Sequence, residues 1–459
     1  MVFSSLLFLF WFIPIFFAVY YICPAKWRNA VLFAGSIVFY AWGEPAYLIL
    51  IFISIAVNWL AGLGLSKYAG SAAEKVIFAA ALFFDFGMLV VFKYTGFFIH
   101  NINAMLGTSI TDPQFTLPLG ISFYTFQIAS YIIDLYKKEI KCEKDPLTLG
   151  TYLVMFPQLI AGPIVIYSRV SDQLRQRSIT YEKVSDGITT FILGLSSKVL
   201  IANTAGQLWN DLEQIGYDKI SMPLAWLGVV AYTLQIYFDF NGYSLMAIGL
   251  GKMLGFDIPQ NFNYPYISTS LTEFWRRWHM TLSGWFRDYV YIPLGGNRKG
   301  ALRTYVNLFA VWFLTGFWHG AGWNFICWGL FFFILLSLEK SFLGRFLDAH
   351  KVFARIYALV LIGLSWMIFA ITDFSALGVY ASRLFDIKSI KGCADAAYYA
   401  RNYAVVIAAG CLFSTPVLSG WFEKEKKRAA GIAIQVVLLF LCIAYLADAA
   451  YNPFLYFRF

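Results

Sequence analysis

TYVNLFAVWFLTGFWHGAGWNFICWGLFFFILLSL, residues 304–338, runs for thirty-five positions without an Asp, Glu, Lys or Arg. A single helix of that length, rising about 1.5 Å per residue, would reach roughly 50 Å against a hydrocarbon core of about 30 Å. The run therefore turns back. Gly316, Gly320 and Gly322 mark the place, leaving arms of about fifteen residues on either side. His319 stands at that turn, which is expected to lie below the membrane surface. An ionisable group at that depth is costly; it serves function, facing a water-filled cavity or the bundle interior, or it is hydrogen-bonded structurally between helices.

The 459 residues as a whole agree with a membrane setting. They are 60% hydrophobic, 20% aromatic and 13% charged, with mean hydropathy +0.65, well outside soluble globular usage. The fold class expected is an all-α polytopic membrane protein. Met1 to Ile22 has no positive region before its apolar stretch and no small-residue cleavage pattern after it, which predicts a retained transmembrane helix. Lys26 and Arg28 follow, placing the N-terminus outside and the first loop in the cytoplasm. The net charge of +9 is spread over short loops, so membrane orientation accounts for it and no nucleic acid is implied. The six cysteines have no CxxC spacing, and the four histidines (His100, His279, His319, His350) form no HExxH. Neither a disulfide framework nor a metal site is expected.

Apolar windows mark spans near 2–22, 29–42, 46–65, 76–99, 115–136, 147–167, 187–209, 223–240, 241–256, 304–318, 323–338, 353–373, 402–420 and 430–448. Several are too short or too rich in Gly and Pro to cross alone, so about ten to twelve crossings are expected, with the others re-entrant. FPQLIAGPIVIY at 156–167 carries Pro157, Gly162 and Pro163 and predicts a broken helix lining a cavity. No internal repeat, low-complexity stretch or long linker interrupts the chain, which is read as a single integral-membrane domain, 1–459.

A second histidine lies in a segment of another kind, TSLTEFWRRWHMTLSGWFRDYVYI. Projected at about 100° per residue, Leu271, Trp275, Trp278, His279, Leu282, Trp285, Phe286 and Tyr289 share one face, with Glu273, Arg276, Arg277, Thr281, Gly284, Arg287 and Asp288 opposite. That predicts a continuous amphipathic helix on the interface or capping a bundle; an aromatic belt with a satisfied histidine would give the same pattern. The following loop, Pro293 to Gly300, holds Asn297, Arg298 and Lys299. With Arg276, Arg277, Arg287 and Arg303 it could draw an anionic ligand such as coenzyme A, or simply anchor the cytoplasmic face. Asp239 is followed by Asn241, Gly242, Tyr243 and Ser244; this reads as a polar break between two spans, serving either helix pairing or a site. Asp85, Lys93 and Lys198 read as structural or interfacial.

QIYFDFNGYS, NFNYPYIS, TEFWRRWHMTLSGWFRDYVYIPLGGNRKG and LTGFWHGAGWNFICWG together resemble the membrane-bound O-acyltransferases of the bacterial alginate O-acetylation branch. MVFSSLLFLF, FYAWGEP at 39–45, FPQLIAGP at 156–163 and NPFLYFRF at the end extend the resemblance along nearly the whole chain. It implies helices around a central funnel, with His319 as the family's essential histidine and His279 as a second one. It implies an acyl group, acetyl above all, taken from a cytoplasmic thioester (acetyl-CoA or an acyl-carrier protein) with no bound cofactor. The group passes to a polysaccharide on the outer face of the bacterial inner membrane, and an extracytoplasmic partner of the SGNH type completes the transfer. Asn241 and Leu245 depart from the alginate pattern FDFSGYSD. The teichoic acid D-alanylation branch shares FDF, GYS, RRWH and WFRD, whereas IPLGGNRKG fits acetylation better.

Chemically, a sugar hydroxyl needs a positioned base to attack a thioester, and histidine suits that role. His319 is expected to take the hydroxyl proton, with His279 orienting or polarising the acyl carbonyl or carrying a second proton. Asp239, Trp275, Trp278, Trp285, Arg276, Arg277, Arg287, Asp288, Asn297 and Trp318 are the candidate substrate, donor or tunnel residues, the tryptophans excluding water. A transporter using His319 and Asp239 as a pathway is the rival reading; the absence of paired broken segments in two halves argues against it.

Overall fold

The computed structural model describes residues 1–448; the NPFLYFRF match at 452–459 lies outside the described residues. All regular structure among them is helical. Six helices are long and apolar enough to cross a membrane: Pro45–Lys67, Ala72–Leu106, Tyr181–Ile215, Trp323–Ala349, Lys351–Ala370 and Ala429–Asp448. Ala404–Phe413 and Pro416–Glu425, bent by 69°, make a seventh if they form one broken span. Length and composition thus single out six or seven spans where apolar windows suggest ten to twelve crossings; Phe8–Ile22, for one, is apolar but shorter. By packing, the chain divides into two compact units, Met1–Phe191 with Met246–Pro259, and Ile192–Leu245 with the chain from Gln260 on.

In the first unit the expected break at 156–167 is present. Pro146–Val154 stops at Met155, Phe156–Leu159 makes a single turn, and an irregular buried stretch follows. Backbone groups freed by such a break need partners. Phe156 N–H donates to Ser36 Oγ at 3.1 Å, Gln158 Nε2 to the Tyr152 carbonyl at 2.6 Å, and Tyr152 Oη to the Gln127 and Val165 carbonyls at 3.0 and 2.9 Å. The Phe156 ring lies edge-on to Phe12 and Phe16, with centroids 5.3 and 5.1 Å apart. Asp85 is buried and accepts from Asn58 Nδ2 at 2.7 Å, the structural role expected of it.

In the second unit the uncharged run folds back on itself: Ala301–His319, three residues of turn, then Trp323–Leu338. Gly320 and Gly322 are extended, with φ −165 and −156; no left-handed backbone demands glycine there, but a Cβ on Gly320 would lie 2.1 Å from the Phe325 ring. Higher in the hairpin, Cβ atoms on Gly316 and Gly329 would each come within 2.4 Å of a backbone oxygen of the opposite arm. Small residues let these backbones approach.

One expectation fails here. Windows 223–240 and 241–256 are a single helix, Met222–Leu254, without a break after Asp239. The carboxylate needs no polar gap because Lys198 Nζ, on a π-helical turn at Ser197–Ala202, meets it at 2.7 Å, both side chains being 3% exposed. Gly242 fits beside this turn, since a Cβ there would lie 2.7 Å from the Gly194 carbonyl. Removing one member of a buried pair strands the other charge. Lys198→Met is therefore expected to lower stability by about 3–5 kcal/mol, with Lys198→Met/Asp239→Leu losing much less; thermal midpoints in detergent check this, and equal losses in both would show that the pair is not what joins these helices.

Candidate active site

The segment expected to be one amphipathic helix is two. Leu271–Arg277 ends as Trp278 turns extended, His279 adopts left-handed backbone (φ 43, ψ 53), and Met280–Phe286 begins. Helical periodicity cannot reveal the cause, which is tertiary. Asn263 N–H donates to the Arg277 carbonyl and Met280 N–H to the Asn261 carbonyl, both at 2.9 Å, so the 261–263 strand of chain takes over bonds the helix would have made. The predicted division of faces nevertheless survives as burial: Leu271, Trp275, Trp278, His279, Leu282, Trp285 and Phe286 are buried, while Arg276 and Arg287 are exposed.

The break brings the two histidines into one aromatic cluster. Trp318 bridges them, its ring centroid 6.2 Å from His279 and 5.0 Å from His319. His279 also meets the Phe240 ring edge-on at 4.7 Å, and His319 packs against Trp328 at 5.1 Å and Phe369 at 5.3 Å. Trp275 lies 5.6 Å from Trp328, and Trp278 lies 4.9 Å from Trp366. The imidazoles are 1% and 7% exposed for His279 and His319 respectively. His279 lies outside the candidate spans, and burial, with the neighbouring His319 next, holds its imidazolium well below the usual range. Buried polar atoms are normally paired. Here His279 Nε2, Trp275 Nε1 and Trp328 Nε1 have no hydrogen-bond partner among the described residues, so one acceptor-or-donor nitrogen and two indole donors are unspent in one cluster.

Other candidates fall elsewhere. Trp285 packs on Phe286 and Tyr289 at 5.6 and 5.1 Å. Arg277 is tied to Glu273 at 3.0 Å, and Arg287 grips Asp288 through two contacts of 2.7 and 2.9 Å. Asn297, Arg298 and Lys299 are exposed with Arg276. Asp239 sits one residue from Phe240 but is engaged with Lys198.

Two buried histidines thus share an indole-lined cluster on a helical scaffold with long apolar helices. The sequence profile of the membrane-bound O-acyltransferase family matches residues 144–382, and the chain belongs to that family. It is an O-acyltransferase and a multi-pass membrane protein. It is 41% identical over 380 residues to the probable alginate O-acetylase AlgI of Pseudomonas aeruginosa, covering 80% of this chain and 72% of that one. The Pseudomonas putida protein of the same name is 35% identical over the full length of both chains. The peptidoglycan O-acetyltransferase of Helicobacter pylori is 36% identical over 409 residues, covering 80% of this chain and 77% of that one.

Sequence reasoning passed over three residues that position the site. Asn261 stands against His279, with its Oδ1 3.0 Å from Nδ1; its only sequence signal is an amide within the aromatic NFNYPYIS. Buried Asn307 donates to the Leu294 and Gly296 carbonyls at 3.3 and 2.9 Å and so holds the Gly-rich loop to the Ala301–His319 helix. Glu339, 6% exposed, accepts from the backbone N–H groups of Leu271 and Thr272 at 2.7 and 2.9 Å and from Thr272 Oγ1 at 2.7 Å. It caps the start of the Leu271–Arg277 helix, where a carboxylate meets both free donors and the positive end of the helix dipole. Glu339→Ala is expected to lower stability by roughly 1–2 kcal/mol and to reduce acyl transfer, with Glu339→Gln losing less. Thermal midpoints and transfer rates of the same preparations decide it; wild-type behaviour of Glu339→Ala would remove the cap from the account.

Proposed function

We propose that this chain takes an acyl group, acetyl above all, from a cytoplasmic thioester and delivers it across a bacterial inner membrane toward a hydroxyl of an extracytoplasmic polysaccharide, with an SGNH-type partner completing the transfer. The bridging of His279 and His319 by Trp318, with unspent nitrogen atoms around them, carries this reading. His319 takes the proton of the attacking hydroxyl as its oxygen bonds to the acyl carbon; the C–S bond breaks and the departing sulfur is reprotonated. The surrounding indoles keep water from competing for the thioester, and the unspent Trp275 and Trp328 N–H groups offer donors for the developing negative oxygen. Exposed Arg276, Arg298 and Lys299 suit the phosphates of coenzyme A or of a charged carrier protein. The names of the relatives, two of them alginate O-acetylases and one a peptidoglycan O-acetyltransferase, support acetyl as the group and a glycan as the acceptor.

Purified protein in liposomes, given radiolabelled acetyl-CoA and a supplied SGNH-type partner with its glycan, is expected to move label to the acceptor. His319→Ala should lower that rate by roughly 10²–10⁴-fold while leaving a folded, inserted protein, and His279→Ala should lower it without loss of folded yield. Normal transfer by His319→Ala would end the proposal. If the wild type moves no label from acetyl-CoA or from a charged carrier protein, the transporter reading replaces it; D-alanyl in place of acetyl would assign the chain to teichoic acid chemistry.

A further inference from the structure

The side chain of Asn261 faces Nδ1 of His279. The Thr281 backbone N–H reaches the Asn261 side chain at 3.3 Å and Thr281 Oγ1 reaches the same atom at 2.9 Å. A backbone N–H can only donate, so the atom it meets is the amide oxygen, while the amide nitrogen lies 3.3 Å from Ser244 Oγ. His279 Nδ1 is 3.0 Å from that same oxygen. Facing an acceptor, Nδ1 must hold the hydrogen, and a neutral ring then bears its lone pair on Nε2, the buried nitrogen with no hydrogen-bond partner among the described residues.

We propose that Asn261 is a positioning residue that locks His279 as the Nδ1–H tautomer, so that His279 meets the substrate through Nε2 as a proton acceptor and not as a hydrogen-bond donor. This rests on the acyl-transfer reading and selects between the roles open to His279. A bare Nε2 cannot polarise the acyl carbonyl; it can hold a proton. The hydroxyl proton passes to His319 as its oxygen bonds to the acyl carbon, His279 Nε2 is the second nitrogen able to hold it, and it ends on sulfur as the C–S bond breaks, so thioester and alcohol give ester and thiol without any other reactant. Asn261 also fixes the ring's place, because its backbone carbonyl holds Met280 N–H at 2.9 Å on the far side of the left-handed residue.

The test uses the full chain in the liposome assay, with rate followed against pH for wild type, Asn261→Asp and Asn261→Leu. Aspartate keeps the accepting oxygen and adds a negative charge, which stabilises imidazolium; the base form is then lost at a higher pH, so the acid limb of the profile moves upward with transfer recovered at alkaline pH. His319 is the titratable group acting on His279, and Phe240 and Trp318 beside it do not titrate, so the new carboxylate is the added influence. Leucine removes the acceptor, and kcat should fall at least tenfold at every pH with little change in KM for the donor. An Asn261→Asp profile superposed on the wild type, or an Asn261→Leu protein with wild-type kcat, overturns the proposal; if leucine prevents folding, the aspartate profile decides alone. A wild-type protein that transfers nothing would instead overturn the acyl-transfer reading itself.

Discussion

The short backbone pairing of Asn261 and Asn263 with Met280 and Arg277 is the interaction on which the site depends. Without it, residues 271–286 would continue as one helix, and His279 would project at its regular angle beside Trp278. A left-handed residue that is not glycine costs about 1–2 kcal/mol. Two backbone hydrogen bonds of roughly 0.5–1.5 kcal/mol each, with the Thr281 contacts to Asn261, offset that cost. The strain is thus held by the surroundings at His279, the residue proposed to meet the substrate, as strained backbone at sites commonly is.

The pairing would be of little use on a loose scaffold. In a membrane protein the apolar effect does not press helices together, and close packing and buried polar contacts must do so. The hairpin carrying His319 is closed by Gly316 against Gly329, and the helix carrying Phe240 is held by Gly242 beside Gly194 and by the Lys198–Asp239 pair. The Leu271–Arg277 helix is fixed at its start by Glu339. The partners of the site therefore stand on three tightly seated elements, and the imidazoles need few hydrogen bonds of their own to be placed.

Much of this was legible in the sequence. A charge-free run too long for one crossing had to turn, and the turn had to fall at the glycines around His319; the face pattern predicted the burial of Leu271, Trp275, Trp278, His279, Leu282, Trp285 and Phe286, though Tyr289 is only half-buried and Phe274, on neither face, is fully buried. The fold also shows where such reasoning stops. Hydropathy cannot see that Asp239 has a cation opposite it on another helix, so a continuous Met222–Leu254 helix looked like two. Periodicity cannot see tertiary hydrogen bonds, so the break at His279 was invisible. Asn261, Asn307 and Glu339 act through backbone groups of distant segments, and single polar letters among apolar ones do not say which helix end or carbonyl they will meet.

The arrangement also bears on how many protons the pair can hold. The imidazolium of His279 is disfavoured by burial first and by His319 second, so a proton on either ring raises the cost of a second on the other. On the proposed acyl transfer, attack by a hydroxyl needs one ring free to take its proton, and departure of a thiolate needs a proton to be given back. On that proposal a site holding two protons would have no base, and a site open to water would lose a thioester to hydrolysis. The rings of Trp318, Trp328, Phe240 and Phe369 packed on the imidazoles would serve both conditions at once, since the low dielectric that keeps a second proton off would also keep water out.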